Sequence, residues 1–543
     1  MAKAQKQEKS MEAALWESAN KLRGAVEPAE YKHVVLSLIF LKYASDKFEE
    51  RRQEIIAEGH EAFVDNVAFY AMKSVFYLPP ESRWSYIMEQ SKQSDIALKI
   101  DTALYTIEKN NESLRGALPD NYYSRLGLDT AKLASLLDEI NKIELTADKE
   151  QDVMGRVYEY FLSNFALQEG KGKGEFYTPK CIVNLIAELI EPYKGKIYDP
   201  CCGSGGMFVQ SLKFVDRHDG NRLKVSIIGQ ESNPDTWRLC KMNLAIRGIS
   251  HNLGDTNAST FTNDLHKDMT VDYIMANPPF NLKGWRAEDA LTDDPRFMRA
   301  GYSVMPPVAN ANYAWILHML SKLDVNHGVA GFLLANGALN IGDAEGTLRR
   351  EILERDRVEA IIVLPRDMFY TTDISVTLWI VNMNKKAGTV NGRQLRDRTH
   401  EVLFMDLRRW DENIEEIVID KGKKKKKTVL SDAQIAKIKE VYSNWQNADT
   451  SLYSDVPEFC RSVKLYDSDL TEEERQAKVP TIESKGYSLA PSKYIEFIDH
   501  DLEIDYEAEM ARIQAEMRDI ISAEKKSQTM LEAAFRGIGY GID

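Results

Sequence analysis

The chain has 543 residues, a formal net charge of −14 and 28% charged residues. This length exceeds one ordinary domain and predicts two or three packed units. The negative charge excludes a protein that coats nucleic acid with most of its surface, so any contact with a polyanion must come from a local basic face or from a partner.

Five cysteines and nine histidines are scattered along the chain. Two cysteines are adjacent, Cys201 and Cys202, but the spacing of the set matches neither a zinc site nor a disulfide framework. The histidines also lack the spacing of metal ligands. We therefore expect no bound metal and a reducing compartment, the cytoplasm. Residues 1–10 are polar and the apolar runs elsewhere are too short or too charged to cross a bilayer, so no membrane contact is expected.

Helical periodicity dominates the chain from Glu12 to about Ala166. One helix face collects apolar side chains, namely Val34, Val35, Leu38, Ile39 and Leu41. The pairs Pro79–Pro80 and Leu118–Pro119 interrupt the pattern. We predict an all-α amino-terminal domain over residues 1–168, which ends at a segment rich in glycine and lysine, residues 170–174.

From Ile182 to about Asn384, helical segments alternate with apolar runs rich in β-branched residues. Examples of these runs are Val329–Leu334, Val358–Val363 and Val376–Val381. Such alternation is typical of a largely parallel, doubly wound sheet in an α/β domain, with ligands at the carboxyl edge of the strands. We assign this domain to residues 169–480.

A glycine turn follows the first predicted strand of this domain, which ends at Asp199. The turn reads Pro-Cys-Cys and then Gly203, Ser204, Gly205 and Gly206. It departs from the dinucleotide pattern and lacks the Lys-Ser/Thr pair of a phosphate-binding loop, so no pyrophosphate is implied. The acidic residue suits a cationic ligand such as S-adenosylmethionine, although a plain tight turn would also explain the glycines.

Two more acidic residues follow the glycine turn along the chain. Val225–Gln230 leads to Glu231, whose carboxylate is placed to accept both ribose hydroxyls of a nucleoside. After a helix from about Asp235 to Arg247, Asp255 follows Gly254 and could accept the adenine amino group of the cofactor. A turn-forming Gly-Asp pair explains Asp255 nearly as well.

The apolar run Val271–Ala276 closes on Asn277, Pro278, Pro279 and Phe280. Such a turn can offer the side-chain carbonyl of Asn277, a backbone carbonyl at Pro278 and an aromatic face to a planar amine. Two acceptors that draw on the N–H bonds would localise the nitrogen lone pair, which could then attack a methyl sulfonium. The alternative is a turn in which the prolines only end the strand.

The order of these segments resembles that of S-adenosylmethionine-dependent amino-methyltransferases, in particular the gamma class of DNA adenine-N6 methyltransferases. The segment Phe176, Tyr177, Thr178, Pro179 precedes the glycine turn, as it does in that class. The resemblance implies a doubly wound methyltransferase sheet and contact of Phe176, Tyr177 and Thr178 with the methionine end of the cofactor. It also implies extrusion of the target adenine from the duplex.

Further segments resemble the modification subunit, HsdM, of type I restriction-modification systems. They are Leu15–Gly24, Tyr31–Asp46, Gly155–Phe161, Leu364–Pro365 with Phe369–Tyr370, and Gly486–Leu489 before Tyr494. Asp373–Ser375 departs from the expected pattern. The resemblance implies double-stranded DNA as substrate, a separate specificity subunit joined by two modification subunits, and a restriction and translocation subunit in the complete assembly.

Two segments lie beyond these matches. Gly422 is followed by five lysines, and we predict a solvated basic loop near residues 421–427 that could also bind phosphate. The last region, residues 481–543, is predicted as a helical tail. Its apolar stripe could pair with a partner subunit or fold onto its own domain, and it comprises Ile504, Met510, Ile513, Met517, Ile520 and Ile521.

Three other functions remain compatible with the Asn-Pro-Pro-aromatic turn. Guanine-N2 methyltransferases of ribosomal RNA and glutamine-amide methyltransferases of release factors also present a planar amine, but both usually lack the long helical amino terminus seen here. The third is a catalytically idle scaffold whose helical ends assemble a nuclease complex, although the intact Asn277 turn and the glycine turn argue against it.

Overall fold

The computed structural model describes Trp16 and residues 28–142, 157, 160–161, 178–369, 373–418, 424–498 and 506–537. The chain divides into two compact units, Met1–Ile495 and Glu496–Asp543. The first unit contains the amino-terminal helices and the sheet, and the second contains one long helix.

The amino-terminal region is all-α in its described residues, as predicted. Its helices are α1 Pro28–Ala57, α2 Val67–Ala71, α3 Trp84–Glu89, α4 Ile96–Asn110, α5 Tyr122–Leu126 and α6 Thr130–Asn141. Polar caps start two of them, because Asn66 accepts from the Ala68 amide at 3.0 Å and Asp129 from the Lys132 amide at 3.0 Å. The apolar face predicted on α1 is fully buried in the core of this region.

The remaining helices of the first unit are α7 Lys180–Ile190, α8 Gly206–Arg217, α9 Pro234–Ile246, α10 Asn312–Lys322, α11 Asp343–Glu354, α12 Asp432–Gln446 and α13 Glu472–Gln476. The strands are β1 Gly195–Asp199, β2 Val225–Gly229, β3 His251–Asn252, β4 Tyr273–Ala276, β5 Val329–Ala335, β6 Val358–Val363, β7 Val376–Asn382, β8 Gly388–Val390, β9 Arg393–Leu395, β10 Glu401–Asp406, β11 Ile414–Val418, β12 Lys424–Thr428 and β13 Cys460–Lys464.

Nine of the described strands form one sheet in the order β13-β10-β6-β7-β5-β4-β1-β2-β3. All are parallel except β7 and β13, which run antiparallel to their neighbours. Helices cover both faces: α10 and α11 pack on one face, and α7, α8, α9 and α12 on the other. The predicted doubly wound α/β domain is therefore confirmed, with an antiparallel strand inserted between β5 and β6.

Two predicted boundaries differ from the structure. Val271 lies before β4 and forms only an isolated bridge with Leu323, because β4 starts at Tyr273. The lysine run is not a solvated loop throughout. Its second half, from Lys424, is strand β12, which pairs antiparallel with β11. Residues 421–423 lie outside the described part of the chain.

The second unit contains α14, Tyr506–Gly537, so the helical tail is present. Its apolar side chains Met510, Ile513, Met517, Ile520 and Ile521 are exposed within this unit. Residues 482–495 instead contribute Ile482, Leu489, Tyr494 and Ile495 to the buried core of the first unit. Among the described helices, none has the length and apolar character that a bilayer crossing requires.

Candidate functional site

The turns after β1 and β4 meet at the point where the strand order of the sheet reverses. β1 pairs in parallel with both β2 and β4, so the chain winds outward in two directions from here. In open α/β sheets the crevice at such a point, beyond the carboxyl ends of the strands, is where ligands bind. Asp199 ends β1 and Asn277 follows β4. The Cys201 thiol meets the backbone N–H of Asn277, so the two turns are in contact.

The side-chain amide of Asn277 is held in one orientation. Its Nδ2 donates to the Thr178 hydroxyl at 2.9 Å. Its Oδ1 is buried and has no hydrogen-bond partner among the described residues. A buried acceptor without a partner costs about 1–3 kcal/mol, which a ligand donor would recover. Pro278, which lacks an N–H, is buried beside it.

Phe280 ends this turn. It is half-buried, and its ring meets the edge of Phe369 from the β6–β7 connection, with centroids 6.2 Å apart and planes at 81°. The next residue, Asn281, has a φ of 53° and pairs reciprocally with the buried Asn312 of α10 at 3.0 and 2.9 Å. The sequence gives no sign of this amide pair, which fixes the end of the turn.

The glycines of the glycine turn have different structural roles. Gly203 and Gly205 have φ values of 53° and 83°, which side chains rarely adopt. A Cβ on Gly205 would lie 2.9 Å from Cys240 Sγ of α9, so this glycine lets two helices approach. A Cβ on Gly203 or Gly206 would meet nothing within 4 Å, so backbone faces open space there. The Ser204 carbonyl accepts from the Asn243 side chain at 2.7 Å.

Two carboxylates border the open side of this turn. Asp199 is buried and accepts from the Cys201 amide at 3.0 Å, and burial, with a smaller contribution from Glu231, raises its pKa to about 7. Glu231 accepts from the Gly203 amide at 3.1 Å and from the Asn233 amide at 2.8 Å. Each carboxylate oxygen has lone pairs beyond these bonds. The pair therefore forms an acidic cradle suited to a cation and to hydroxyl donors.

The structure places the other predicted site residues less centrally. Asp255 is exposed in the turn after β3, next to Gly254, whose φ is 73°. Thr178 lies directly before α7 and contacts Asn277, as described above. Phe176 and Tyr177 lie outside the described residues.

Gln230 joins the turns after β1 and β2 to the loop after β3, and sequence reasoning missed this role. Its backbone pairs with the Asp199 carbonyl and the Cys202 amide, both at 3.0 Å. Its fully buried side chain donates to the carbonyls of Ala258 and Asn263 at 3.1 and 2.8 Å and accepts from the Leu265 amide at 3.1 Å. A glutamine at the end of an apolar strand is the only sign of this role in the sequence.

Arg296, in the loop after β4, connects that loop to the one after β3. It donates to the carbonyls of Thr260 and Phe261 at 2.7 and 2.6 Å and pairs with Asp294 at 2.7 Å. It also contacts His318, whose pKa is lowered to about 3 by burial and by the nearby guanidinium. His318 is therefore neutral, and the charge of Arg296 is matched by Asp294.

The site thus combines an acidic cradle with an amide acceptor beside an aromatic ring. Among the described residues no cluster of side chains could hold a metal ion. The cysteines are free thiols. The geometry suits group transfer between a cationic ligand held by the β1 and β2 turns and a planar amine held by the β4 turn.

Comparisons with known proteins agree with this arrangement. The family described as N-6 DNA Methylase matches residues 149–498, and the HsdM N-terminal domain matches residues 11–142. The type I restriction enzyme MjaIX methylase subunit of Methanocaldococcus jannaschii is 34% identical over 550 residues, covering 97% of this chain and 91% of that protein. The HindI methylase subunit of Haemophilus influenzae is 36% identical, covering 85% of this chain and all of that protein.

A solved structure shares the fold. The methyltransferase subunit of a type I restriction-modification system from Streptococcus thermophilus superposes with a TM-score of 0.68 at 23% identity, covering 89% of this chain and 99% of that chain. The chain therefore belongs to the N-6 DNA methylase family, among the methylase subunits of type I restriction enzymes.

Proposed function

We propose that this DNA methyltransferase subunit transfers a methyl group from S-adenosylmethionine to N6 of an adenine extruded from double-stranded DNA. One observation carries the proposal: the buried Oδ1 of Asn277 has no partner among the described residues and lies beside Pro278 and Phe280. The adjoining acidic cradle of Asp199 and Glu231 supplies the second half of the site.

The residues at the glycine turn fit S-adenosylmethionine. When bound, this cofactor supplies an electrophilic methyl group on a positively charged sulfur. Asp199 would balance the positive charge, Glu231 would accept the ribose hydroxyls, and the open backbone at Gly203 and Gly206 would lie against the ligand. Asp255, Phe176, Tyr177, Thr178, Ser204 and Gly205 stay proposed members of this cofactor site.

The β4 turn would hold the adenine amine. Asn277 Oδ1 and the Pro278 carbonyl would each accept a hydrogen bond from one N–H of the amine. These two hydrogen bonds would localise the nitrogen lone pair for attack on the methyl group of the cofactor. Extrusion of a base costs a few kcal/mol, and stacking on an aromatic ring returns about 1–3 kcal/mol. The Phe280 ring would therefore retain the extruded base, and Pro279 would keep the turn rigid. No titrating base is required for the transfer itself.

The assembly is proposed from the relatives. Their names describe methylase subunits of type I restriction enzymes, so we infer that two copies of this chain join one specificity subunit, which reads the DNA sequence, and that a restriction subunit completes the complex. The exposed apolar stripe of α14 would bind the specificity subunit. We further propose that the complex acts in the cytoplasm. The matches do not favour the RNA, glutamine-amide or scaffold alternatives.

The decisive experiment replaces Asn277 with alanine. Because Asn277→Ala removes an acceptor for the amine but no part of the acidic cradle, we expect methyl transfer to fall by about 100-fold or more, with cofactor affinity by calorimetry unchanged. Glu231→Ala is the matched control, and it should weaken cofactor binding first. Tritiated methyl transfer to separate DNA, RNA and protein pools identifies the substrate. Near-normal turnover of Asn277→Ala, or label found only in RNA or protein, would refute the proposal.

A further inference from the structure

Three exposed cations lie at the carboxyl edge of the sheet, around the β4 turn. Lys283 is three residues beyond Phe280, Arg366 follows β6, and Lys426 is in β12. None of the three forms an ion pair with another described residue. Exposed cations without an ion pair also occur elsewhere in the described part of this domain, for example Lys194, Lys224 and Lys386, whereas Arg409 is matched by Glu458. Lys283, Arg366 and Lys426 differ from these lysines in their position on segments next to the β4 turn, and not in being unmatched.

Strand β12 is attached to the loop that carries Arg366. The Thr428 amide donates to the Asp367 carbonyl at 3.1 Å. Lys425 and Lys427 both pair with Asp373, at 2.8 and 3.2 Å, at the other end of the same β6–β7 connection. These contacts fix the position of the lysine strand relative to the sheet.

The same connection reaches the proposed base pocket. Phe369, three residues after Arg366, contacts the ring of Phe280. Lys426 points away from the Asp373 pair, since neighbouring residues of a strand alternate in direction, and it is exposed. Its cross-strand neighbour is Glu416. Lys283 lies on the loop that follows the pocket in sequence. The cations thus lie on segments that adjoin the pocket: the loop after the β4 turn, the β6–β7 connection, and the strand attached to that connection.

Charge complementarity indicates that the ligand of these three cations is DNA. The chain carries a net charge of −14, so DNA is repelled by most of its surface. Access of a duplex to the Asn277 turn then depends on positive charge near that turn, supplied by this chain or by a partner. The segment from residue 414 to residue 428 holds six lysines against three carboxylates in a chain that is otherwise acidic.

We propose that Lys283, Arg366 and Lys426 bind the phosphates of the DNA strand on either side of the extruded nucleotide. This inference rests on the proposed function and adds the backbone contacts that would hold the strand while the base is out of the stack. Phosphate contacts of this kind fix position and orientation without reading sequence, which leaves recognition to a separate subunit.

The test compares two triple variants of the full chain. In the first, Lys283→Gln, Arg366→Gln and Lys426→Gln remove the three cations. The matched control, Lys194→Gln, Lys224→Gln and Lys386→Gln, removes three exposed cations at the opposite edge, where β1 and β2 start and β7 ends. Binding of a random-sequence duplex is measured by fluorescence anisotropy between about 50 and 200 mM salt, because each phosphate contact adds about 0.9 to the slope of log affinity against log salt.

We expect the magnitude of the slope of log affinity against log salt to fall by about three in the first variant and to stay unchanged in the control. An unchanged slope, an equal fall in both variants, or wild-type binding that does not depend on salt would overturn the inference. Docking of these cations on an acidic protein surface predicts the unchanged slope. Cofactor affinity is measured in parallel: wild-type chain that binds no S-adenosylmethionine overturns the proposed function, whereas normal cofactor binding with an unchanged slope overturns only this inference.

Discussion

The carboxyl group of Asp199 is buried at the end of β1, where burial raises its pKa to about 7. The carboxylate form is therefore incomplete at pH 6 and nearly complete at pH 8. In the unliganded protein the folded state keeps a proton that the unfolded chain releases near pH 4, so this group lowers stability as the pH rises from about 4 to 7. A cation bound beside Asp199 favours the carboxylate and opposes that loss.

This titration makes cofactor affinity depend on pH. We expect the affinity for S-adenosylmethionine to rise about tenfold per unit below pH 7 and to level off above it, because only the carboxylate attracts the cation. Calorimetric titrations from pH 5.5 to pH 8.5 would measure this, roughly spanning the pKa. Asp199→Asn keeps the shape of the side chain, and any titration of the cofactor itself affects wild type and variant alike. The difference between their two curves of affinity against pH therefore isolates the titration of Asp199. Parallel curves would contradict the assignment.

Gln230 holds the loop after β3 by three side-chain hydrogen bonds. Gln230→Met keeps the length of the side chain but leaves two carbonyls and one amide without partners, at a cost of about 1–3 kcal/mol each. We expect weaker cofactor binding at a temperature well below unfolding, because the loop carrying Asp255 loosens.

Gln446 offers a matched control for that variant. It is a buried glutamine on α12 that donates to Glu359 at 2.8 Å, away from the switch point of the sheet. Gln446→Met should also lower the melting temperature, but without changing cofactor affinity. If both variants lowered affinity to the same degree, Gln230 would have no specific positioning role.

The position of three proposed site residues at one edge of the sheet could be predicted from the sequence. Asp199, Glu231 and Asn277 follow apolar strands, and parallel strands bring their carboxyl ends to one edge. Gln230 and Arg296 could not be predicted, since their role depends on which loops their side chains meet in the folded chain. A polar residue at a strand end is compatible with many such contacts.

Strand direction was predictable only in part. β7 is buried along its whole length, like a parallel strand between two helix layers, so its composition does not reveal its antiparallel direction. The connection from β6 to β7, residues 364–375, lacks helical periodicity, and a parallel neighbour would require a helical crossover. The missing helical crossover was therefore the one indication in the sequence that β7 runs antiparallel to β6. β13 is a short edge strand with only two buried positions, and its pattern gives little indication of a strand.

The β11–β12 hairpin shows how tertiary contacts override propensity. Lysine rarely favours strands, yet the side chain of Lys427 is only 2% exposed. Asp373 makes this possible, and the hydrogen bond from Lys425 lowers the pKa of Asp373 to about 2. Asp373 is therefore ionised at neutral pH, and its charge balances the buried ammonium of Lys427.

Removing this charge should release the hairpin. In Asp373→Asn the ammonium of Lys427 loses its partner, so we expect the Thr428 amide to exchange with solvent at least about tenfold faster, which corresponds to about 1.4 kcal/mol of local stability. Hydrogen exchange followed by mass spectrometry measures this. Glu440→Gln, which breaks the exposed pair with Lys437, is the control and should leave exchange unchanged. Unaltered exchange in Asp373→Asn would show that the hairpin is held by other contacts.

Helix α9 links the amino-terminal helices to the glycine turn. One side of it, Leu239, Met242, Ala245 and Ile246, is part of the buried core of the helical region. The other side places Cys240 against Gly205, and Asn243 donates to the Ser204 carbonyl. Lys241 donates to the Arg115 carbonyl at 2.7 Å. The helical region and the sheet therefore share one continuous packing element, and their stabilities should be coupled.

Truncation of one core side chain on α9 tests that coupling. Leu239→Ala should cost about 2–5 kcal/mol, and because α9 also supports the glycine turn, cofactor affinity should fall together with the melting temperature. Leu353→Ala, a comparably buried position on α11 across the sheet, should lower the melting temperature while cofactor affinity is retained. Differential scanning calorimetry with and without S-adenosylmethionine records both quantities. The result could instead be two separate transitions, with Leu239→Ala lowering only the transition that S-adenosylmethionine does not shift. The helical region would then unfold independently of the proposed cofactor site.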